Sequence, residues 1–271
     1  MTAGSATRRQ GVEPSRAPAI VRLDDTVGRS LIIGNLVAAI GSRLSRAEDM
    51  RQVILPGVFR PRSDTWLLAD AACREPLRSG AAILELCAGP GLAGIAAARA
   101  RGATLTTVDV SRRAALNARI NGWLNGVRVR AVRGDLYGAV SGERFDLILA
   151  NPPYVPGPPP PARGAGRATD AGADGRAILD RICSGAAGHL AAGGTLLVVH
   201  SEVCGSEETR AALEAFGFEV DIADRARGPL GPILRARRAE LEARGQLKPN
   251  QQLEEVMVVR GRRVEGQRAN V

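Results

Sequence analysis

The apolar positions of this chain fall into short runs whose period keeps changing. Ala82–Cys87 ("AILELC") is an apolar run that stops at glycines, and Thr104–Val110 ("TLTTVDV") is rich in β-branched residues. Val127–Val132, Phe145–Ala150 and Gly194–His200 ("GTLLVVH") repeat that strand character. Between them, Leu92–Arg101, Arg112–Leu124, Ala177–Leu190 and Glu207–Phe216 carry helical spacing. Phe218–Ala223 and Glu255–Arg260 read as two further strands, which makes seven. Strands alternating with helices predict an α/β fold: a mainly parallel sheet with helices on both faces. The last two strands are separated by the arginine-rich segment Pro229–Gly245 and lack a crossover pattern, so the final strand is expected to be antiparallel.

The ends of the chain read differently. The first 20 or so residues are small, polar and interrupted by Pro and Gly, a composition that favours disorder. Ile33, Leu36, Val37, Ile40 and Leu44 recur at helical spacing, which predicts a short amphipathic helix. A second helix is expected over 65–72, capped by Ser63 or Asp64. The expected organisation is an N-terminal extension over 1–50, a catalytic domain over 51–263 and a tail over 264–271.

Composition narrows the class. Apolar residues make up 45% of the 271 positions, enough for a core, but aromatics only 3%, so Ala, Leu and Val must fill it. No apolar run approaches the roughly 20 residues of a membrane span. Arg8-Arg9 resembles the start of an export signal, but Asp24 and Asp25 break the apolar segment that should follow. A cytoplasmic protein with no membrane partner is expected. Cys73, Cys87, Cys183 and Cys204 have neither metal-knuckle nor CxxC spacing, and His189 and His200 stand apart from any cluster, so no metal is expected. The net charge of +9 admits a nucleic-acid partner. Lys248, however, is the only lysine among 37 basic residues. The arginines scatter along the chain, which fits a generally basic surface as well.

The candidate chemistry lies at the ends of the predicted strands. In "ELCAGPG" (85–91), Gly89 and Gly91 let the backbone turn sharply where the first strand meets its helix, and Gly94 completes a Gly-x-Gly-x-x-Gly pattern. Asp109, at the end of the next strand, can accept from both hydroxyls of a ribose. To that point a dinucleotide fits equally well. Glu85 adds an acceptor suited to a cationic amino group or to loop amides. Asp135, after the third strand, adds one for an adenine amino group. Such a row of carboxylates suits an amino-acid end, a ribose and an adenine, the parts of S-adenosylmethionine, better than it suits a pyrophosphate.

The fourth strand runs into "NPPYVPGPPPPARG" (151–164), where two prolines end both ladder and helix. A planar NH2 group is a weak nucleophile because its lone pair is delocalised. To attack an activated methyl group it must be held in line at roughly 3–3.5 Å. The side-chain oxygen of Asn151 and the carbonyl of Pro152, stiffened by Pro153, form a pair of acceptors for its two N–H bonds. Tyr154 supplies a flat face against the planar group. Asn151, Pro152 and Tyr154 are therefore the expected catalytic residues.

These motifs resemble those of class I S-adenosylmethionine-dependent methyltransferases of the HemK/PrmC type, the protein-glutamine N5-methyltransferases. The resemblance rests on "ELCAGPG" (85–91), "TVDVS" (107–111), "RGDLY" (133–137), "NPPYVP" (151–156) and, upstream, "FRPRSDTWLLAD" (59–70). It implies a Rossmann-like fold over about 55–262 and S-adenosylmethionine as cofactor. The implied cofactor contacts are Asp64, Thr65, Glu85, Cys87, Ala88, Gly89, Gly91, Asp109, Val110, Asp135, Leu136 and Asn151. It also implies a protein substrate, a glutamine in a release factor, with RNA, DNA or a small molecule as alternative acceptors. Three features depart from the family pattern. Trp66 replaces a position that is often acidic, the proline-rich run 156–161 lengthens the loop after the motif, and the segment before residue 50 is too short and polar for a full helical recognition domain. The chain is similar in this to the shorter HemK-like branch, which acts in archaea and eukaryotes with a small partner subunit.

Overall fold

The computed structural model describes residues 50–161 and 165–263. The helix expected around Ile33–Leu44 and the C-terminal tail lie outside the described residues. All seven expected strands are present: β1 (Ala82–Leu86), β2 (Thr104–Asp109), β3 (Val129–Arg133), β4 (Phe145–Ala150), β5 (Leu190–Ser201), β6 (Phe218–Pro229) and β7 (Leu253–Arg263). They form one sheet in the order β3-β2-β1-β4-β5-β7-β6. β1 to β5 pair in parallel, and β7 runs antiparallel between β5 and β6. The expected antiparallel final strand is borne out.

Helices α1 (Ser63–Arg74), α2 (Leu92–Arg101), α3 (Arg112–Leu124), α4 (Leu179–His189) and α5 (Ser206–Glu214) flank the sheet. The strands read as nearly continuous apolar runs because both faces are covered. Alternate residues feed different cores. Ile83, Leu147 and Leu149 pack with Leu68, Leu92 and Ile95 of α1 and α2, whereas Leu84, Ile148 and Ala150 pack with Leu179 and Ile182 of α4. Two short helices, α6 (Pro232–Ala236) and α7 (Arg238–Ala243), occupy the arginine-rich segment. Their Leu234 and Leu241 join Leu230 and Leu247 in a small third cluster against Val155, just after the Asn-Pro-Pro-Tyr turn. Arg237 ties that turn down by donating to the Pro156 carbonyl at 2.9 Å and to Asp170 at 2.6 Å.

Two expectations are corrected. β6 continues to Pro229 rather than stopping near Ala223, pairing with β7 as far as Pro229↔Leu253 past an irregularity between Ile222 and Asp224. Its polar stretch Asp224–Arg227 belongs to an edge strand, where backbone pairing does not require apolar side chains. Helix α1 starts at Ser63 with Arg62 as its N-cap, so neither Ser63 nor Asp64 caps it. The Asp64 carboxylate accepts instead from the Thr65 amide at 2.7 Å, and Thr65 Oγ1 accepts from the Arg62 amide at 3.4 Å.

Candidate active site

β1 and β4 are neighbours, with Leu86 opposite Ala150, so the glycine bend and the Asn-Pro-Pro-Tyr turn emerge side by side at the carboxyl edge of the sheet. That edge is where open α/β sheets bind ligands. A cavity of about 760 Å³ opens there. It is lined by Asp64, Thr65, Glu85, Cys87, Ala88, Gly89, Asp109, Val110, Asp135, Leu136, Asn151, Pro152 and Tyr154, every expected site residue but one. The exception is Gly91. At φ +77° it begins α2, and a Cβ there would stand 2.9 Å from Ala118 Cβ, so its lack of a side chain serves the packing of α2 on α3.

The bend is built from backbone in the left-handed region, with Cys87 at φ 52° and Gly89 at φ 53°. A non-glycine residue in that region costs conformational energy and is held by its surroundings. The Asp109 carboxylate provides one such hold. One oxygen accepts from the Gly89 amide at 2.9 Å and the other from the Ser111 amide at 2.8 Å, linking the bend to the start of α3. Glu85 points to the α2 side of the sheet, buried, where one of its oxygens accepts from the Gly94 amide at 3.0 Å. Burial pushes its carboxyl up to about 8, against the pull of that amide and with help from the charge of Asp109. Burial likewise pushes the Cys87 thiol up, so it is not a thiolate.

Asp135 carries a partner that the sequence did not disclose. It forms an exposed ion pair with Arg181 of α4 at 2.7 Å, so the acceptor expected for an adenine is already engaged on one side.

At the other end, Asn151 Nδ2 donates to Thr65 Oγ1 at 3.3 Å, leaving its Oδ1 with acceptor capacity to spare. The Tyr154 hydroxyl donates to the second Asp64 oxygen at 3.0 Å, and the Tyr154 carbonyl accepts from the Cys204 thiol at 2.7 Å. Burial and the Asp64 charge push the Tyr154 phenol well up, so it remains a donor. Asp64 and Thr65 thus hold both ends of the Asn-Pro-Pro-Tyr turn.

Several lining residues were not foreseen. Phe59 and Arg62 form a wall from the segment before α1, and Ile233, Leu234 and Glu254 close the side beyond Tyr154. The Glu254 carboxylate is fixed by Ser201 Oγ at 2.9 Å and the Gly231 amide at 2.7 Å. Phe59 lies within the quoted "FRPRSDTWLLAD" stretch, whereas nothing local in the sequence marks Glu254.

The family model of the methyltransferase small domain matches residues 55–227. The chain belongs to this methyltransferase family. A candidate protein N5-glutamine methyltransferase of Methanocaldococcus jannaschii is 32% identical over 189 residues, covering 69% of this methyltransferase and 94% of the relative. The release factor glutamine methyltransferase of Bordetella pertussis is 38% identical over 157 residues, 54% of this chain and 58% of its own length. The methyltransferase therefore spans less than two thirds of that bacterial relative. Among solved structures, the E. cuniculi Mtq2-Trm112 complex, described as responsible for methylation of the eRF1 translation termination factor, superposes with a TM-score of 0.54 at 25% identity, covering 76% of this chain and 99% of that one. These likenesses bear out the HemK-type resemblance and an S-adenosylmethionine-dependent enzyme of class I fold.

Proposed function

We propose that this methyltransferase transfers a methyl group to the side-chain amide nitrogen of a glutamine in a protein, foremost a translation release factor. One observation carries the reading: Asn151, Pro152 and Tyr154 line the same cavity as the glycine bend, just past the end of the strand next to it.

The residues present fit the cofactor that the family uses. Asp109 and Asp135 offer acceptors suited to hydroxyl and amino donors and poorly suited to phosphates, and Glu85 joins them once an ammonium beside it draws off its proton. A Cβ at Gly89 would lie 3.9 Å from Phe59 Cβ, so a longer side chain would fill the gap between bend and wall. In this assignment Glu85 takes the amino-acid end, Asp109 with Val110 the ribose, and Asp135 with Leu136 the adenine. Cys87, Ala88 and Gly89 supply the bend, and Asp64 with Thr65 the upstream contact. S-adenosylmethionine, when bound, supplies an electrophilic methyl group on a sulfonium.

The chain's own contribution is orientation. Asn151 Oδ1 and the Pro152 carbonyl accept the two amide N–H bonds, which turns the nitrogen lone pair forward and favours the nitrogen as it becomes positive. Pro153 has no N–H to draw the turn into another bond. Thr65 fixes the Asn151 amide and Asp64 fixes the Tyr154 ring beside it.

Residues 51–263 act as the catalytic unit in this reading. An enzyme that methylates a release factor would act in the cytoplasm. No helix among the described residues is long and apolar enough to cross a membrane.

Purified release factors, total RNA and a small-molecule extract, each incubated separately with methyl-labelled cofactor, test the assignment. Label on a glutamine, located by tryptic mass spectrometry, is expected. Label confined to RNA or to a small molecule would overturn it.

A further inference from the structure

We propose that Asn117 and Asn121 of α3 are positioning residues for the cofactor. They would act through the backbone segment 51–55, which they bind as a neighbouring strand would. The inference rests on the cofactor assignment above.

Asn117 and Asn121 lie on one face of α3, and Asn125, its C-cap, continues the four-residue spacing. Asn125 Oδ1 accepts from the Arg51 amide at 3.1 Å and its Nδ2 donates to the Arg51 carbonyl at 2.7 Å. Asn121 Oδ1 accepts from the Val53 amide at 2.8 Å. Asn117 Oδ1 accepts from the Leu55 amide at 2.8 Å and its Nδ2 donates to the Val53 carbonyl at 2.6 Å. The spacings agree for a physical reason. Four helical residues rise about 6 Å, and two extended residues advance roughly 6.6 Å. Every second residue of the segment therefore meets the next asparagine. Asn side chains carry a donor and an acceptor and can imitate a peptide group.

Two further facts point this ladder at the site. Gly57, Val58, Phe59 and Arg62, which immediately follow the segment, form a wall of the cavity opposite the glycine bend. Asn121 also donates from Nδ2 to the Pro90 carbonyl at 3.0 Å, inside the bend itself. One fully buried amide thus ties the segment that leads into the wall to the bend. A buried amide that has lost its partners is costly, so the arrangement is over-determined. The ladder fixes the width of the slot in which the cofactor would lie.

Replacing Asn117 by Ala removes the bonds to Leu55 and Val53. A second variant, Val53→Pro, deletes the amide bonded by Asn121 from the segment side, leaving α3 intact, at a position 43% exposed. Each is expected to raise the Kd and KM for S-adenosylmethionine about tenfold. kcat at saturating cofactor should stay within about twofold, and amide exchange at Leu55 should lose protection in Asn117→Ala. Unchanged Kd and KM in both variants, with the Leu55 amide exchanging freely in Asn117→Ala, would overturn the ladder's role while leaving the cofactor site standing. A wild-type chain that binds no S-adenosylmethionine by calorimetry would overturn the cofactor assignment and this inference with it.

Discussion

The Tyr154 hydroxyl donates to Asp64 at 3.0 Å, joining residues 90 apart in sequence. The bond connects the first turn of α1 to the Asn-Pro-Pro-Tyr turn, which in the proposed function presents the substrate nitrogen. Because the acceptor is a carboxylate, the bond is of the stronger, charge-assisted kind. Tyr154→Phe and Asp64→Asn should each lower kcat/KM for the protein substrate about tenfold, and the double variant by no more than either alone. Steady-state kinetics on the three variants decide this, and fully additive losses would separate the two residues.

Asn151→Ala should lower turnover by ~10²–10³ while cofactor affinity stays near that of the wild type. The side chain accepts from the substrate nitrogen in the proposed geometry, and its tie to Thr65 lies at the turn rather than in the bend. Single-turnover methyl transfer together with cofactor titration reads both quantities, and undiminished turnover removes Asn151 from the reaction.

Stability should fall as pH rises from about 6.5 to 8. Glu85 keeps its proton in the folded chain up to about 8, whereas its ordinary value is 4.5. The stability it contributes is complete below 4.5 and is lost as pH rises through 8. His200 acts in the opposite sense. Burial lowers it from 6.5 to about 4, so its contribution is complete above 6.5 and is lost as pH falls through 4. Above 6.5 only Glu85 of the two remains active. Urea midpoints across this range should decline for the wild type and flatten in Glu85→Gln. A cationic cofactor amine beside Glu85 would also draw off its proton, so binding near pH 7 should release protons, measurable by calorimetry in buffers of different ionisation enthalpy.

Gly94→Ala should lower the thermal midpoint by several degrees. Its Cβ would fall 2.6 Å from Glu85 Oε2 and 2.7 Å from Leu105 Cδ1, both in the packed layer under α2. Overpacking of this kind costs about 1–3 kcal/mol. A scanning calorimetry trace that matches the wild type would show that the layer can yield.

Most of the fold was legible because the central strands are apolar but for single carboxylates, Glu85 in β1 and Asp146 in β4, and the helices between them are amphipathic or small-residue segments of ordinary length. The far half of β6 was not, since an edge strand pairs through backbone that leaves little trace in side-chain pattern. The places of three residues at the cavity were legible: Glu85 from the strand that leads into the glycines, Asp109 from the end of the next strand, and Asn151 from the prolines that follow it. The partner of Asp135, Arg181, was not, because an exposed ion pair forms between residues 46 apart with no local signature. The role of Asn117 and Asn121 escaped for a related reason: their partners are backbone groups of a distant segment, and no side-chain pattern encodes them.

The pairing of Leu86 with Ala150 has a consequence for how such an enzyme could diversify. Donor and acceptor platforms are extensions of two adjoining rungs of the central sheet, and their separation is inherited from backbone spacing. The parts that would discriminate between targets, the proline-rich loop and the helices α6 and α7, are appended further along the rim. New targets could thus be acquired by remodelling those appendages, with the alignment of the reacting atoms carried over unchanged.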